Sequence, residues 1–187
     1  MVIPGQLAIV DRSDDRPYAQ GLHFLARIMR ETLGHVFFYR RLTKQLKGGS
    51  LQGLDYEQAR FSHIATFDAI VVNVTKCIEQ RGDTWNLDQL FKEWRKYEHE
   101  EAKGKEVLAA IERLRVKFEW LEQFRHRRAA HQTKDDEVTM LTSLPDDIRG
   151  IAELVEVLDM FVEGQIPYPL YLHESSMELD LRKELGL

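Results

Sequence analysis

Apolar residues recur every three or four positions along four long segments of this chain, and that spacing predicts amphipathic helices. The segments lie near residues 18–47, 55–80, 105–131 and 145–163. Gly48-Gly49-Ser50 is a stop signal for the first helix. Asn86 with Gln89, and Ser175 with Glu178, are capping boxes that predict the starts of two shorter helices. The sequence therefore predicts an all-α fold, an antiparallel four-helix up-and-down bundle with short extra helices.

The length of 187 residues fits a single helical domain with a full core. We expect the bundle core to cover about residues 18–163. Residues 1–17 are predicted to be an extended N-terminal segment, and residues 164–187 a C-terminal extension. No repeat and no low-complexity tract divides the chain.

Charge and cysteine content exclude several classes of protein. The 26 basic and 31 acidic residues give a net charge of −5, which argues against a general coat for nucleic acid but allows a local basic site. The single cysteine, Cys77, rules out an internal disulfide framework, and we expect it to be a buried, inert thiol. The first residues lack the features of a secretory signal, and no segment approaches the roughly 20 apolar residues of a membrane span. We therefore expect a cytoplasmic protein with no membrane partner.

The third long segment breaks its own pattern near its end. Its apolar stripe consists of Val107, Ile111, Leu114, Phe118 and Leu121. The next position on that stripe is Arg125, followed by His126, Arg127, Arg128, two alanines and His131. A cation in a core position is costly unless an anion faces it. The break therefore marks a candidate site for an anionic ligand such as a phosphate.

Spacing limits how Arg125 and His131 can act together. Six helical residues separate their positions by about 9 Å along the axis and by about 120° around it. One copy cannot easily direct both side chains to one atom, whereas two copies around a two-fold axis can bring both pairs into one cleft. Arg binds phosphate through two hydrogen bonds, and His transfers protons near neutral pH. A pair of His side chains, one acid and one base, suits attack of a 2′-hydroxyl on an RNA phosphodiester without a metal.

The motif resembles the signature of the HEPN superfamily, in which an Arg is followed by a polar residue and, a few positions later, by a His. Arg125, His126 and His131 match those three places, and Lys134-Asp135 follows. This form is most similar to the AbiU-type branch associated with abortive phage infection. The resemblance covers roughly residues 18–163, including the aromatic-rich second helix.

The resemblance implies a homodimeric helical bundle, often a metal-independent endoribonuclease of a toxin or phage-defence system. In that reading Arg125 and His131 are catalytic, and His126 and Arg128 support them. RNA and an antitoxin or defence partner protein are the implied partners, while other members are inactive or only bind RNA. One position departs from the family. Where the branch paired with a nucleotidyltransferase has a modified Tyr, this chain has Thr133, which argues against regulation by adenylylation there.

Plainer interpretations stay open for each of these residues. The arginines near position 125 also suit a helix C-terminus, where cations complement the dipole, and His131 also suits a polar helix end. Asp68 interrupts the apolar stripe of the second predicted helix. It either reaches solvent at the edge of that stripe or orients Arg125 and lowers the cost of burying it.

No cofactor or metal site is predicted. Glu31 and His35 form a helical i, i+4 pair, and His99 is flanked by glutamates. A di-iron bundle requires a Glu-x-x-His repeat on two helices, and the chain has none. The tryptophans are expected to pack in the core, except that Trp120 lies off the apolar stripe and is a candidate for a partner surface. The alternative to an enzyme is therefore a catalytically inactive helical module that binds RNA or a protein.

Overall fold

The protein is mostly helical. A computed structural model describes residues 16–80, 82, 84–130, 150–172 and 177–187, with the backbone alone described for residues 122, 125–130, 171, 172 and 177. The helices are α1 (Pro17–Lys47), α2 (Gly53–Ile78), α3 (Leu87–Trp94), α4 (Glu101–Ala130), α5 (150–159) and α6 (Leu181–Leu185). Two short strands, β1 (Pro169–Leu172) and β2 (Met177–Asp180), form an antiparallel pair. The all-α prediction is confirmed. Residues 1–15 of the predicted N-terminal extended segment lie outside the described residues, and its last residue, Pro17, already belongs to α1.

Helices α1 and α2 form an antiparallel pair. Pro17 occupies the first turn of α1, where its missing N–H costs no helical hydrogen bond. The helix ends at Lys47 with Gly48 as its C-cap, and Gly49 adopts a positive φ of 64°, so the predicted stop is confirmed. The ring of Tyr39 on α1 lies 5.8 Å from that of Phe67, while Thr43, one turn later, contacts His63, one turn earlier on α2. The contacts move towards the C-terminus of α1 as they move towards the N-terminus of α2, so the two helices run in opposite directions.

Helix α3 lies against the beginning of α1. Its N-cap is Asn86, whose side chain accepts a hydrogen bond from the backbone N–H of Gln89 at 3.0 Å, as the capping box predicted. Just before it, the indole ring of Trp85 packs directly on Gly21. A Cβ added to that glycine would meet the ring at 2.4 Å. The missing side chain of Gly21 thus allows α3 and its preceding loop to approach α1 closely.

Helix α4 runs parallel to α1 and antiparallel to α2. Tyr97, just before α4, lies with its ring 5.6 Å from that of Tyr18 at the start of α1. Near the other end of α4, the ring of Phe124 packs edge-to-face on Phe67 of α2, with 5.4 Å between centroids. About 20 helical residues separate these two levels, a rise of about 30 Å. The last turns of α4 therefore lie near residues 48–52, which connect α1 to α2. We call this end of the helices the α1–α2 loop end.

Helix α5 packs along α4 near its middle. Gly150 lies against the ring of Phe118, so close that a Cβ would meet it at 2.7 Å. Lys117 of α4 forms an ion pair with Glu153 of α5 at 2.5 Å. All of the helices contribute buried side chains to one hydrophobic cluster. Cys77 lies inside that cluster, as predicted, and its burial raises the pKa of its thiol to about 12.

The C-terminal residues correct one prediction. Glu178 lies in strand β2, so Ser175 and Glu178 do not cap the last helix; Ser175 itself lies outside the described residues. The N-cap of α6 is Asp180, whose carboxylate accepts a hydrogen bond from the backbone N–H of Arg182 at 3.0 Å. The cap lies later because residues 177–180 pair with β1 instead of forming a helical turn. This segment joins the common core through Leu181 and other buried side chains.

Among the described residues, no helix has the combination of length and apolar character that crossing a membrane requires.

Candidate functional site

The end of α4 carries the sequence motif. The five residues of its apolar stripe, from Val107 to Leu121, are all buried, which confirms that stripe. Phe124, three residues after Leu121, is also buried. An aromatic ring thus occupies a buried position immediately before Arg125. The sequence analysis did not include Phe124 in the stripe, and the prediction that Arg125 continues the stripe stays a prediction.

The described residues include the backbone of the first part of the motif. Arg125, His126 and Arg128 all lie within α4, which stays helical through Ala130. Their side chains, and the whole of His131, lie outside what the structure describes. The predicted pairing of Arg125 with an acid and the convergence of Arg125 with His131 therefore remain predictions.

Asp68 lies beside the contact between α2 and α4. It is half-buried and directly follows Phe67, the ring that packs on Phe124. The backbone positions of Asp68 and Arg125 each follow one member of this aromatic pair. The two positions thus belong to the same level of the α2–α4 contact, which keeps Asp68 the first candidate for a carboxylate partner. Its partial burial fits an edge position better than a fully solvated one.

A buried histidine that the sequence analysis did not select lies one turn from Phe67. His63 is only 2% exposed, and its ring stacks on Tyr39 with 4.0 Å between centroids. Its Nε2 lies 2.8 Å from the hydroxyl oxygen of Thr43. That hydroxyl donates its single hydrogen to the carbonyl of Tyr39 at 2.8 Å. His63 must therefore donate through Nε2–H, which fixes the tautomer with the lone pair on Nδ1.

Burial also fixes the charge of His63. Desolvation, with a smaller contribution from the positive charge of Lys47, lowers the pKa of His63 to about 4. The side chain is therefore neutral at physiological pH. The sequence contained a signal for it, because His63 lies four residues before Phe67 on the buried face of α2. No sequence pattern identified Thr43 as its partner, since the contact joins two helices.

The sequence analysis also considered possible metal ligands and three tryptophans. Within the described ranges, no three His, Cys, Asp or Glu side chains are grouped so that they could hold an ion. Burial lowers the pKa of His35, against the opposing effect of the Glu31 carboxylate. Trp94 is a core residue, with its ring edge-to-face on Phe161 at 5.3 Å. Trp120 is half-buried, so its proposed role at a partner surface stays a prediction.

No family model, no curated protein and no solved structure matches this chain. The functional argument therefore rests on the residues of the chain itself. These are the motif at the end of α4 and Asp68, which lies beside the Phe67–Phe124 ring pair that packs α4 on α2.

Proposed function

We propose that the protein is a metal-independent endoribonuclease of a toxin or phage-defence system, with a HEPN-type four-helix bundle and a site built from Arg125 and His131. The observation that carries the proposal is the arrangement at the end of α4. The helix continues unbroken to Ala130, beyond the buried ring of Phe124, and its next residues are basic. A helix anchored by its core and extended by Arg and His residues suits recognition of a phosphodiester.

The chemistry divides between the two catalytic residues. One His131 removes the proton from the 2′-hydroxyl, whose oxygen attacks the adjacent phosphorus. A second His131 gives a proton to the departing 5′-oxygen, so the products are a 2′,3′-cyclic phosphate and a 5′-hydroxyl. Arg125 stabilises the charge that develops on the phosphate oxygens. Because one subunit supplies one His131, this division requires a homodimer with the motif at its two-fold axis.

The remaining motif residues have supporting roles in this proposal. Asp68 orients the Arg125 guanidinium, and its half-buried position next to Phe67 supports this role. His126 and Arg128 contribute to the phosphate environment. A cytoplasmic location and an antitoxin or defence partner complete the proposal, because a cellular ribonuclease has to be restrained until it is needed.

A second function is favoured by one specific observation. Phe124 is a buried residue of α4, and the basic residues that follow it are also compatible with a helix end that only binds. In that case the protein is a catalytically inactive module of the same fold that binds RNA or a partner protein.

Cleavage of total cellular RNA by purified protein in the presence of EDTA separates the two functions. Proton transfer by a placed side chain contributes about 10²–10⁴ in rate. His131→Ala should therefore lose at least about 100-fold of the activity, whereas the matched control His126→Ala should lose less. Equal activity of His131→Ala and wild type, or an activity that EDTA abolishes, would refute the proposed mechanism. Binding without any cleavage by the wild type would support the inactive module.

A further inference from the structure

Apolar side chains form an exposed row on the face of α2 that points away from the core. The row begins at the α1–α2 loop end, and we call it the outer stripe of α2; its members are Leu54, Phe61, Ala65 and Val72. All four are exposed, with Leu54 at 82%, Phe61 at 62% and Val72 at 38%. His63, which is buried between these positions, lies on the opposite face of the helix. A continuous apolar row at the surface is typical of a protein interaction site.

The spacing of the outer stripe is that of a helix that pairs with another helix. Its members follow one another at steps of seven, four and seven residues. Gln58 and Asp68 fill the two gaps of seven, so the whole row has the alternating steps of four and three that form a coiled-coil seam. The seam extends for about 27 Å along α2. Its natural occupant is therefore a second helix of similar length.

The outer stripe is complementary to itself when two copies of α2 run in opposite directions. Leu54 and Val72 lie nine residues on either side of position 63, and Phe61 and Ala65 lie two residues on either side. A two-fold axis at this level therefore places Leu54 opposite Val72 of the second copy. It also places the large Phe61 ring opposite the small Ala65, so that the two surfaces can interlock. This symmetry selects a second copy of the chain as the occupant.

Polar groups of the seam and of its flanks have the same symmetry. Gln58 and Asp68 lie five residues on either side of position 63, so the Gln58 amide can donate a hydrogen bond to the Asp68 carboxylate of the second copy. A carboxylate accepts several hydrogen bonds, which leaves Asp68 able to orient Arg125 as well. Asp55 and Lys76 are both exposed and flank the two ends of the seam.

The charges at the two ends select the antiparallel direction. Along one helix Asp55 and Lys76 are about 31 Å apart, too far to attract each other. In the antiparallel pair, Asp55 of each copy lies within about 8 Å, along the axis, of Lys76 of the other, a gap that a lysine side chain spans. A parallel pair would instead place Asp55 beside Asp55 and Lys76 beside Lys76. Charge complementarity therefore agrees with the apolar pairing.

We infer that the outer stripe of α2 binds the same stripe of a second copy, in an antiparallel two-fold helix pair centred at the level of residue 63. This inference deepens the proposed function, on which it rests for the expectation that two copies of the motif act together. Pairing of the stripes themselves is argued from α2 alone.

The two-fold axis of this pair passes at the level of the sequence motif. Helix α4 is antiparallel to α2, and its Phe124 lies at the level of Phe67. Residues 125–130 of α4 therefore lie at about the levels of residues 61–66 of α2, on both sides of position 63. Rotation about the axis keeps the two α4 helices on the same side of the α2 pair. The dimer thus presents both copies of the motif on one face, as the proposed mechanism requires.

One substitution in the middle of the stripe tests the interface. Ala65→Glu places a carboxylate opposite the Phe61 ring of the second copy, and it does so twice in each dimer. Sedimentation equilibrium should show a dimer for wild type and a monomer for Ala65→Glu at micromolar concentration. The matched control is Ala109→Glu, the same change at an exposed alanine near the beginning of α4, which should remain dimeric. Both alanines are exposed, so thermal unfolding should show that both variants are folded.

An exchange of charges tests the direction of the pair. Asp55→Lys alone and Lys76→Glu alone each create two contacts between like charges. Each should raise the dissociation constant of the dimer at low salt by roughly 2- to 30-fold, the range for loss of two exposed ion pairs. The double variant Asp55→Lys with Lys76→Glu restores opposite charges and should recover the wild-type constant. Lys105→Glu, which reverses an exposed lysine of α4, is the control and should leave the constant unchanged.

The outcomes separate this interface from the catalytic proposal. A wild type that stays monomeric, or an Ala65→Glu variant as dimeric as wild type, would overturn the α2 interface. A double charge exchange that is no tighter than the single variants would overturn it as well. If Ala65→Glu remains a dimer and cleaves RNA at the wild-type rate, the interface is overturned and the catalytic proposal stands. If dimerisation depends on the outer stripe but the protein never cleaves RNA, the interface is supported and the enzyme is refuted.

Discussion

The buried histidine on α2 makes the stability of the protein depend on pH in a predictable way. His63 is neutral in the folded protein, because burial lowers its pKa to about 4, whereas in the unfolded chain it titrates near its ordinary value of 6.5. Between these two values the unfolded state binds more protons than the folded state. The free energy of unfolding must therefore fall as the pH decreases from about 6.5 towards 4.

The size of this effect follows from the same shift. A difference of one pKa unit corresponds to about 1.4 kcal/mol, so the full contribution of His63 is about 3 kcal/mol. Titration of the unfolded chain between pH 7 and pH 5 accounts for about 2 kcal/mol of this total. For a domain of ordinary stability, about 5–15 kcal/mol, this is a measurable fraction.

Urea unfolding of wild type and His63→Leu at pH 7 and pH 5 measures the effect. We expect wild type to lose about 2 kcal/mol more than His63→Leu over this interval, because the variant has no imidazole to protonate. Because both proteins contain His35 and the same carboxyl groups, the contributions of these groups to the pH dependence cancel in the difference between wild type and His63→Leu. His99→Leu, which replaces an exposed histidine in the same way, is the matched control. Parallel curves for wild type and His63→Leu would show that His63 is not held neutral by burial and would refute the reasoning.

Two further predictions concern packing and charge. Gly21→Ala should destabilise the protein by about 1–3 kcal/mol, because its Cβ would meet the tryptophan ring that packs on it at 2.4 Å. Gly34→Ala is the matched control, since a Cβ there has no atom within 4 Å, and it should stabilise the helix by up to about 1 kcal/mol. Asp159→Asn removes the charge that pairs with the buried Arg182 and should cost about 3 kcal/mol. Urea unfolding measures all three, and a neutral Gly21→Ala or Asp159→Asn would contradict the corresponding contact.

The helices were predictable because their signals are local. Spacings of three and four residues, the glycines after α1 and the capping box at Asn86 each act within one turn, and the structure confirms them. The start of the last helix was not predictable, because Glu178 has the local pattern of a helix cap but pairs with Tyr171 in an antiparallel strand pair. Strand pairing depends on a partner elsewhere in the chain, which a local pattern does not contain.

The candidate site was predictable only in part, for a related reason. Arg125 was selected because it is a charged residue at the next position of an apolar stripe. Asp68 was selected as its partner, and the structure places Asp68 beside the α2–α4 contact. The sequence analysis did not include Phe124, which is buried beside the stripe. It also did not reveal His63, because a buried histidine is recognisable only with its partner, and Thr43 approaches it from another helix.

The most direct test of the proposed enzyme uses the chemistry of its attacking group. An oligoribonucleotide that the protein cleaves is compared, in EDTA, with the same oligonucleotide carrying a 2′-deoxy sugar at the cleaved position. Because the 2′-hydroxyl is the nucleophile, we expect the all-ribose strand to give a 2′,3′-cyclic phosphate and the deoxy strand to remain intact. Cleavage of the deoxy strand at the same bond, or loss of all cleavage when EDTA is added, would contradict metal-independent catalysis by Arg125 and His131.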